Sequence, residues 1–410
     1  MSTTEPVTGA YTGNWVVIAL LAMLALLPFG SLHYLPLAAL MGSGIWLAIR
    51  HHHALWHDPL LRLALLVVAL LWLPQWLALL NAESPDRALR TALRYLALPF
   101  AVIAVVHSLR QPQQARWLLN GLAIIAAFWA LDALLQFVLG RNLLGFPYDG
   151  ERLSGIFHPN WRIGILLAHL LPFVLEGLRR YSPGRRWLWL LLLPYLAVIL
   201  LAGSRASWLT MLLALAIYAL YLYRWHGIGL RWLGLSGAGV VLVAALATAV
   251  SPALQERLAF SAGLASGDLQ SIDEASAFRM TVWSASMQVI RDDWLTGVGV
   301  RGFRTAALER DYLEQEYAHS HLYLLDVLVS TGLIGGLCYL LLLLALLRYW
   351  LGLPAAQRHA TMAAWMALLL MLFPLNSHWD FYAGFATSVM WLLLLSALAV
   401  ASAHRAPGKP

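Results

Sequence analysis

The sequence predicts an all-α, polytopic membrane protein with about twelve transmembrane helices and one large helical loop. Of its 410 residues, 61% are hydrophobic and only 11% are charged, a balance unlike that of water-soluble domains. Apolar runs of roughly twenty residues, the length that crosses about 30 Å of hydrocarbon, follow one another along most of the chain. The stretch 251–320 interrupts this pattern because it is too polar to cross a bilayer.

The candidate spans set the predicted organisation of the chain. They lie near 14–30, 33–49, 59–80, 91–108, 116–139, 161–178, 186–203, 206–224, 229–250, 321–347, 358–375 and 383–402. Four arginines between 179 and 186 share one short loop, which is typical of a cytoplasmic loop. Residues 1–250 are therefore predicted to hold nine spans, 251–320 a periplasmic loop with short amphipathic helices, and 321–410 three spans and a cytoplasmic tail.

The composition excludes some classes of function. A single cysteine, Cys338, rules out an intramolecular disulfide and multi-cysteine metal sites. The net charge is +7, but the arginines are scattered between apolar spans, so we expect no nucleic-acid partner. Lys409 is the one lysine among 27 basic residues, and the planar fork of arginine suits phosphate ligands.

The large loop contains two predicted helices. In the segment 276–294, the residues Met280, Trp283, Met287 and Ile290 recur at helical spacing. Their apolar face is expected to lie on the membrane surface or on the helical bundle. A glycine turn at 296–303 and a second short helix at 303–317 follow.

Two histidines stand where the large loop returns to the membrane. His319 and His321 precede an apolar run, so each lies near the start of a predicted helix. Unpaired amide groups at a helix N-terminus disfavour imidazolium, and a neutral histidine can act as a general base. An interfacial histidine that caps the helix is an equally good interpretation from spacing alone.

Arginines on the same outer side are candidate ligands. Arg205 occupies the short turn GSRASW, and Arg279 opens the amphipathic segment of the loop. Arg152 and Arg162 flank a tight loop that also contains His158 and Asn160, for which a structural role is favoured. An arginine at a membrane boundary is costly unless paired, although snorkelling to lipid headgroups is a comparable alternative for Arg205.

The acidic residues do not predict a metal site. Asp292 and Asp293 are adjacent, but their pattern is typical of a solvated helix surface. Asp132 and Asp326 lie inside apolar runs and require buried partners. The outer loop 376–382 adds His378 and Asp380, which the sequence alone does not rank.

These residues resemble the signature of the O-antigen ligases, within the superfamily that includes O-antigen polymerases and bacterial O-oligosaccharyltransferases. His321 has Gly332 and Gly335 at the family's offsets, whereas His319 would place Ser330 where glycine is expected. Leu322 departs from the usual polar residue after the histidine. The segments GSRAS, FRMTVW and RLSGIFHPN resemble further family elements in the same order.

The resemblance implies a GT-C-like fold and a glycosyl transfer at the periplasmic face of a bacterial inner membrane. The implied donor is an undecaprenyl-diphosphate-linked O-polysaccharide and the implied acceptor is lipid A-core, with no cofactor, no metal and inversion at the anomeric carbon. By the same analogy His321 is the base, Arg205 and Arg279 bind the diphosphate, and Arg152 and Arg162 assist. An O-antigen polymerase is the main alternative. A transporter or flippase is a more distant one, because the sequence shows no related halves.

Overall fold

A computed structural model describes residues 13–55, 57–261 and 269–405, and its regular structure is helical. The predicted tail beyond Arg405 lies outside the described residues. The α-helices are α1 Asn14–Ala25, α2 Tyr34–Leu55, α3 Pro59–Ala78, α4 Pro85–Arg94, α5 Ala97–Ser108, α6 Pro112–Leu139, α7 Ile163–Tyr181, α8 Leu192–Leu201, α9 Arg205–His226, α10 Leu230–Val250, α11 Pro252–Ser261, α12 Leu269–Ala275, α13 Arg279–Asp292, α14 Phe303–Glu309, α15 Tyr323–Gly352, α16 Ala355–Met371 and α17 Gly384–Ala403. Short 3₁₀ helices occupy Gly30–His33, Leu79–Asn81, Gly155–Phe157 and Arg186–Leu191.

The fold class is confirmed as an all-helical, polytopic membrane protein. In the described residues, eight helical segments are long and apolar enough to cross a membrane: Gly30–His51, Pro59–Asn81, Pro85–Ser108, Pro112–Leu139, Arg205–His226, Leu230–Val250, Tyr323–Gly352 and Gly384–Ala403. The other four predicted spans coincide with α1, the segment Trp187–Leu201, α7 and α16. These four fall short of a full span because α1, Trp187–Leu201 and α16 are short, whereas α7 carries Glu176, Arg179 and Arg180.

The helices pack around α17. Every residue of α17 from Ala386 to Ala403 is buried, and the helix contacts α1, α3, α5, α6 and α16. By contrast, α10 buries only Val243 and Ala247 among its side chains and contacts α8 and α11. A helix that is apolar all round and mostly uncovered is expected to face lipid. The bundle therefore has a dense centre at α17 and a lipid-facing edge at α10.

The connections that sequence analysis assigned to the outer side meet at one end of the bundle. Asn81 donates to Thr296 (Nδ2 to Oγ1, 3.0 Å), and Ser84 bonds Thr305 (Oγ to Oγ1, 3.0 Å), so the α3–α4 connection is tied to the large loop. At the opposite end, Arg405 pairs with Asp58. We call the first end the loop end.

The large loop has a small core of its own, and part of its predicted structure was wrong. Val282, Ala285 and Val289 of α13 pack there, whereas Met280 and Met287 are 40% and 45% exposed. Met280 and Met287 of the predicted apolar face therefore point away from this core, which the smaller side chains fill, whereas Ile290 packs against it. The predicted helix 303–317 ends at Glu309, since Asp311 takes the left-handed backbone conformation with φ 55°.

A break in α15 joins the loop to the membrane helix. Gly332 has φ 61° and ψ −162°, and a Cβ atom there would lie 2.3 Å from the Leu295 carbonyl. The break frees the Leu333 amide, which donates to the Trp294 carbonyl at 2.8 Å. The Val298 amide donates in turn to the Val329 carbonyl at 2.9 Å. Only glycine permits both this conformation and this close approach.

Candidate functional site

A polar cavity of about 610 Å³ lies at the loop end of the bundle. Its lining comes from chain segments far apart in sequence, and the polar members are Glu151, Arg152, Ser204, Arg205, Glu256, Arg257, Arg279, His321, Ser377 and His378. Another cavity, of about 560 Å³ between α6, α7 and α8, is lined mainly by apolar side chains and includes none of the predicted site residues. The candidate chemistry is therefore gathered in the polar cavity.

The backbone around His321 is held by hydrogen bonds to distant segments. Asp326, in the first turn of α15, accepts from the Ser320 amide at 2.7 Å. The Tyr323 amide donates to the Asn376 carbonyl at 2.9 Å, and the Leu324 amide to the Pro374 carbonyl at 3.0 Å. His321 lies between these anchors in the left-handed region, with φ 53°. Its conformation is costly for a non-glycine residue and is fixed by the surrounding bonds.

The imidazole of His321 is neutral at ordinary pH. Burial, followed by the neighbouring His319 and then Arg279, lowers the pKa of His321 from 6.5 to about 3. Sequence analysis predicted a neutral ring, but its reason was wrong, because the first amides of α15 are paired with carbonyl oxygens. Removal from water and nearby positive charge disfavour imidazolium instead.

His319 lies behind His321 rather than on the cavity. The two ring centroids are 3.9 Å apart, but only His321 belongs to the cavity lining. Burial, with Arg279 and Arg301 nearby, lowers the pKa of His319 to about 4. Of the two histidines left open by the sequence, the geometry therefore favours His321 as the group that meets a ligand.

Arg205 and Arg279 line the same cavity as His321. Ser204 caps α9, and its hydroxyl accepts a hydrogen bond from the Ser207 amide. Arg205 is the first residue of this helix. The Arg205 guanidinium donates to the Ala275 carbonyl. Arg279 donates to Ser377 (Nη1 to Oγ, 3.2 Å). Both side chains are thus oriented by neutral acceptors and keep further donors for a ligand.

Arg152 joins this group, whereas Arg162 does not. The Arg152 guanidinium lies over the Trp161 ring, 4.8 Å from its centroid, and lines the cavity. Arg162 is absent from the cavity lining, and its guanidinium lies 4.3 Å from the centroid of the Phe385 ring. Four of the five predicted site residues therefore line one cavity, whereas the fifth, Arg162, contacts an aromatic ring instead.

The neighbouring polar residues have structural contacts. His158 stacks on Phe146 with ring centroids 5.3 Å apart, and the Asn160 amide donates to the Phe157 carbonyl at 2.8 Å. Asp132, inside α6, accepts from the Asn142 side chain and the Leu143 amide, both at 3.0 Å. These bonds brace the loop that carries Arg152 and Arg162.

Two cavity residues were missed or left unranked by sequence reasoning. Arg257 of α11 donates to the Gly203 carbonyl (Nη1 to O, 3.1 Å), directly beside Arg205. His378 bonds the Ser204 hydroxyl (Nδ1 to Oγ, 3.2 Å). No local pattern distinguishes Arg257 from a solvated loop arginine. The sequence placed His378 on the same side as the other candidate residues but gave no reason to bring it beside α9.

The four cavity arginines lack carboxylate partners in the part of the chain that the structure describes. No Asp or Glu oxygen forms an ion pair with Arg152, Arg205, Arg257 or Arg279 there. Burial, and then Arg257, lowers the pKa of Arg152; burial, and then Arg205, lowers that of Arg279. Glu151 and Glu256 also line the cavity without forming an ion pair with these arginines, so the lining keeps an excess of positive charge that favours anions.

Part of the chain matches a known family. Residues 188–340 match the family model described as O-antigen ligase. Over this segment the chain is similar to the O-antigen ligase family. The resemblance inferred from the motifs is thereby confirmed. No curated protein sequence matches the chain significantly.

The O-antigen ligase segment covers part of the cavity. It includes Arg205, Arg257, Arg279 and His321, together with the helix break at Gly332. The similarity of this segment to the family is consistent with a glycosyltransferase-like activity in a multi-pass membrane protein. Arg152, Ser377 and His378 reach the same cavity from outside the matched segment.

Proposed function

We propose that this protein is an O-antigen ligase that transfers O-polysaccharide from undecaprenyl diphosphate to lipid A-core at the periplasmic face of the inner membrane. The supporting observation is that the neutral ring of His321 lines one cavity with four arginines that lack carboxylate partners in the described chain. A base and an anion site in one cavity are what transfer from a lipid diphosphate requires. The GT-C-like fold belongs to the same proposal.

The arginines bind the diphosphate in this mechanism. Guanidinium groups donate paired hydrogen bonds to phosphate oxygens, and charge-assisted bonds of this kind are stronger than neutral ones. Arg205 and Arg279 bind the diphosphate, and Arg152, which also lines the cavity, assists. Negative charge grows on the diphosphate as the sugar departs, so donors that are already oriented stabilise the transition state more than the ground state.

His321 activates the acceptor. Its neutral imidazole takes the proton of an acceptor sugar hydroxyl while that oxygen attacks the anomeric carbon of the donor. A new carbon–oxygen bond forms as the bond to the diphosphate oxygen breaks, and the diphosphate leaves with the electron pair. Attack from the side opposite the leaving group inverts the anomeric carbon. The proton then passes from the imidazolium to solvent.

Guanidinium charge takes the place of a metal ion in this proposal. Four arginines supply the positive charge that a divalent cation provides in metal-dependent transferases. We therefore expect chelation with EDTA to change the transfer rate by less than about twofold.

An assay with two acceptors tests the function. Purified protein is given diphosphate-linked glycan with either lipid A-core or a second lipid-linked glycan. Product on the core supports a ligase, whereas longer lipid-linked chains identify a polymerase and overturn the ligase proposal. His321→Ala is expected to lower transfer by about 100-fold or more, because general-base catalysis contributes roughly 10²–10⁴. His319→Ala is the matched control and should keep more of the activity; the reverse ranking makes His319 the base.

A further inference from the structure

The turn Asn376–Trp379, between α16 and α17, touches each of the elements that carry the principal site residues. The Asn376 carbonyl accepts from the Tyr323 amide at 2.9 Å, two residues after His321. The Ser377 hydroxyl accepts from Arg279 at 3.2 Å. His378 bonds Ser204 at 3.2 Å, next to Arg205. One short turn therefore links α15, α13 and α9.

A buried histidine of α7, His169, anchors the turn. The Nδ1–H group of His169 donates to the Ile165 carbonyl at 2.8 Å, because a carbonyl oxygen can only accept. Nε2 is therefore the acceptor, and it receives the Asn376 side-chain amide at 3.2 Å. The Trp379 ring stacks on the same imidazole, with centroids 5.9 Å apart and planes inclined by 17°.

We propose that Asn376 and His169 are positioning residues that set His321 against the arginines through the turn Asn376–Trp379. The proposal rests on the proposed glycosyl transfer. Neither Asn376 nor His169 lines the cavity, so both act through other residues rather than on substrate. The turn and its anchor also lie outside residues 188–340, so the O-antigen ligase segment is completed by α7 and by the α16–α17 connection.

The expected effect of this pair is on the rate of the chemical step. His321 is held on both sides by its neighbours, and the Tyr323 bond depends on where the Asn376 carbonyl lies. A displacement of about 1 Å in a reacting group can cost about 100-fold in rate. The phosphate-binding arginines keep their charges when the turn shifts, so binding of the donor should change less than turnover.

The experiment compares Asn376→Ala, His169→Leu and His169→Gln in the full-length protein with diphosphate-linked glycan as donor. We expect Asn376→Ala and His169→Leu to lower kcat by about 10- to 100-fold, with the donor KM changed by less than about threefold. His169→Gln keeps an amide acceptor for Asn376 and should recover most of the kcat. Ser402→Ala is the matched control, since that buried hydroxyl bonds the Val106 and Leu109 carbonyls near the opposite end of the bundle.

A second measurement does not depend on catalysis. Hydrogen exchange of the Tyr323 and Leu324 amides should speed up about tenfold in Asn376→Ala and remain unchanged in Ser402→Ala. An unchanged kcat, a loss confined to KM, or no rescue by His169→Gln overturns the proposal. If the wild-type protein transfers no glycan, the proposed function fails. In that case hydrogen exchange still tests the structural role of the turn. Faster exchange of the Tyr323 and Leu324 amides in Asn376→Ala would show that the turn holds the backbone after His321, and unchanged exchange would contradict this role.

Discussion

The arginines of this protein fall into two groups with opposite surroundings. Arg310 contacts three carboxylates: Asp292 at 3.3 Å, Asp293 at 2.6 Å and Glu83 at 2.5 Å. The cavity arginines have no such partner among the described residues, and carbonyl and hydroxyl oxygens hold Arg205, Arg257 and Arg279. Burial opposes the charged form of Arg310, but its pKa is raised because Asp293 and Glu83 accept hydrogen bonds from it. The pKa values of Arg152 and Arg279, in contrast, are lowered.

This difference separates arginines that hold the fold from arginines that await a ligand. Arg310 neutralises the adjacent aspartates of the large loop and ties them to Glu83, in the α3–α4 connection of the bundle. Its charge is already matched. The cavity arginines are oriented by neutral oxygens, so their charge is available to an incoming anion. A charge count by residue type could not separate the two groups, but their acceptors do.

Removing a cavity arginine should produce the largest effect. We expect Arg205→Ala and Arg279→Ala each to lower kcat/KM for transfer by about 100-fold, because each removes a charged donor to the leaving diphosphate. The free energy of unfolding should hardly change. Arg→Lys at either residue should recover only part of the activity, since an ammonium lacks the planar fork. Loss of stability with unchanged kcat/KM would place these residues with Arg310.

Removing Arg310 should have the converse result. Arg310→Ala is expected to lower the free energy of unfolding by about 1 kcal/mol, because its partly exposed carboxylate pairs are screened by water. Donor affinity should be unchanged. Arg304→Ala is the control: Arg304 pairs with Glu316, both partners are exposed, and no measurable loss is expected. Thermal denaturation and a donor-binding titration distinguish the outcomes. A large rise in the donor Kd for Arg310→Ala would erase the distinction between the groups.

Arg162 offers a sharper comparison with Arg152. Arg152 lines the cavity, whereas Arg162 lies over Phe385. Arg152→Ala should raise the donor KM by about tenfold, the loss expected for one charged hydrogen bond. Arg162→Ala should change KM by less than about threefold. Equal effects in a steady-state assay would return Arg162 to the ligand set suggested by the family resemblance.

The pH dependence should be the smallest effect in the neutral range. The pKa of His321 is lowered to about 3, so its neutral form predominates at every pH above about 4. Protonation of the base removes activity only as the pH falls toward that value, and kcat/KM should vary by less than about twofold between pH 5 and 7. A pH–rate profile with an acid limb near 6.5 would show that the cavity does not lower the pKa of His321.

Sequence reasoning predicted the helices and several site residues for clear physical reasons. Apolar runs fixed the helical segments because a bilayer leaves few alternatives for the backbone. Alternation of loops placed Arg205, Arg279 and His321 on one side, which is why their shared cavity could be anticipated. The same logic assigned Arg162 to that side, but it could not indicate its contact with the Phe385 ring. The side of the membrane on which a residue lies does not determine which other side chains it contacts.

Other features depend on contacts that no local pattern encodes. Asn376 meets His169 across more than two hundred residues, and Arg257 reaches Gly203 from a separate helix. Family offsets marked Gly332 as a signature residue, but the reason lies in the loop carbonyls that approach its bare Cα. Helical spacing marked Met280 and Met287 of α13, but it did not show that Val282, Ala285 and Val289 pack in the core of the loop. Tertiary packing, rather than periodicity, decides such details.

The interrupted helix also limits how far the large loop can move away from the polar cavity. The Leu333 and Ile334 amides use carbonyls of Trp294 and Leu295 in place of partners within α15. Lifting the large loop would strand these groups in a medium without water, where each unpaired amide costs several kcal/mol. The large loop is therefore expected to stay fixed against α15, so the cavity beneath it should keep its shape when a ligand enters.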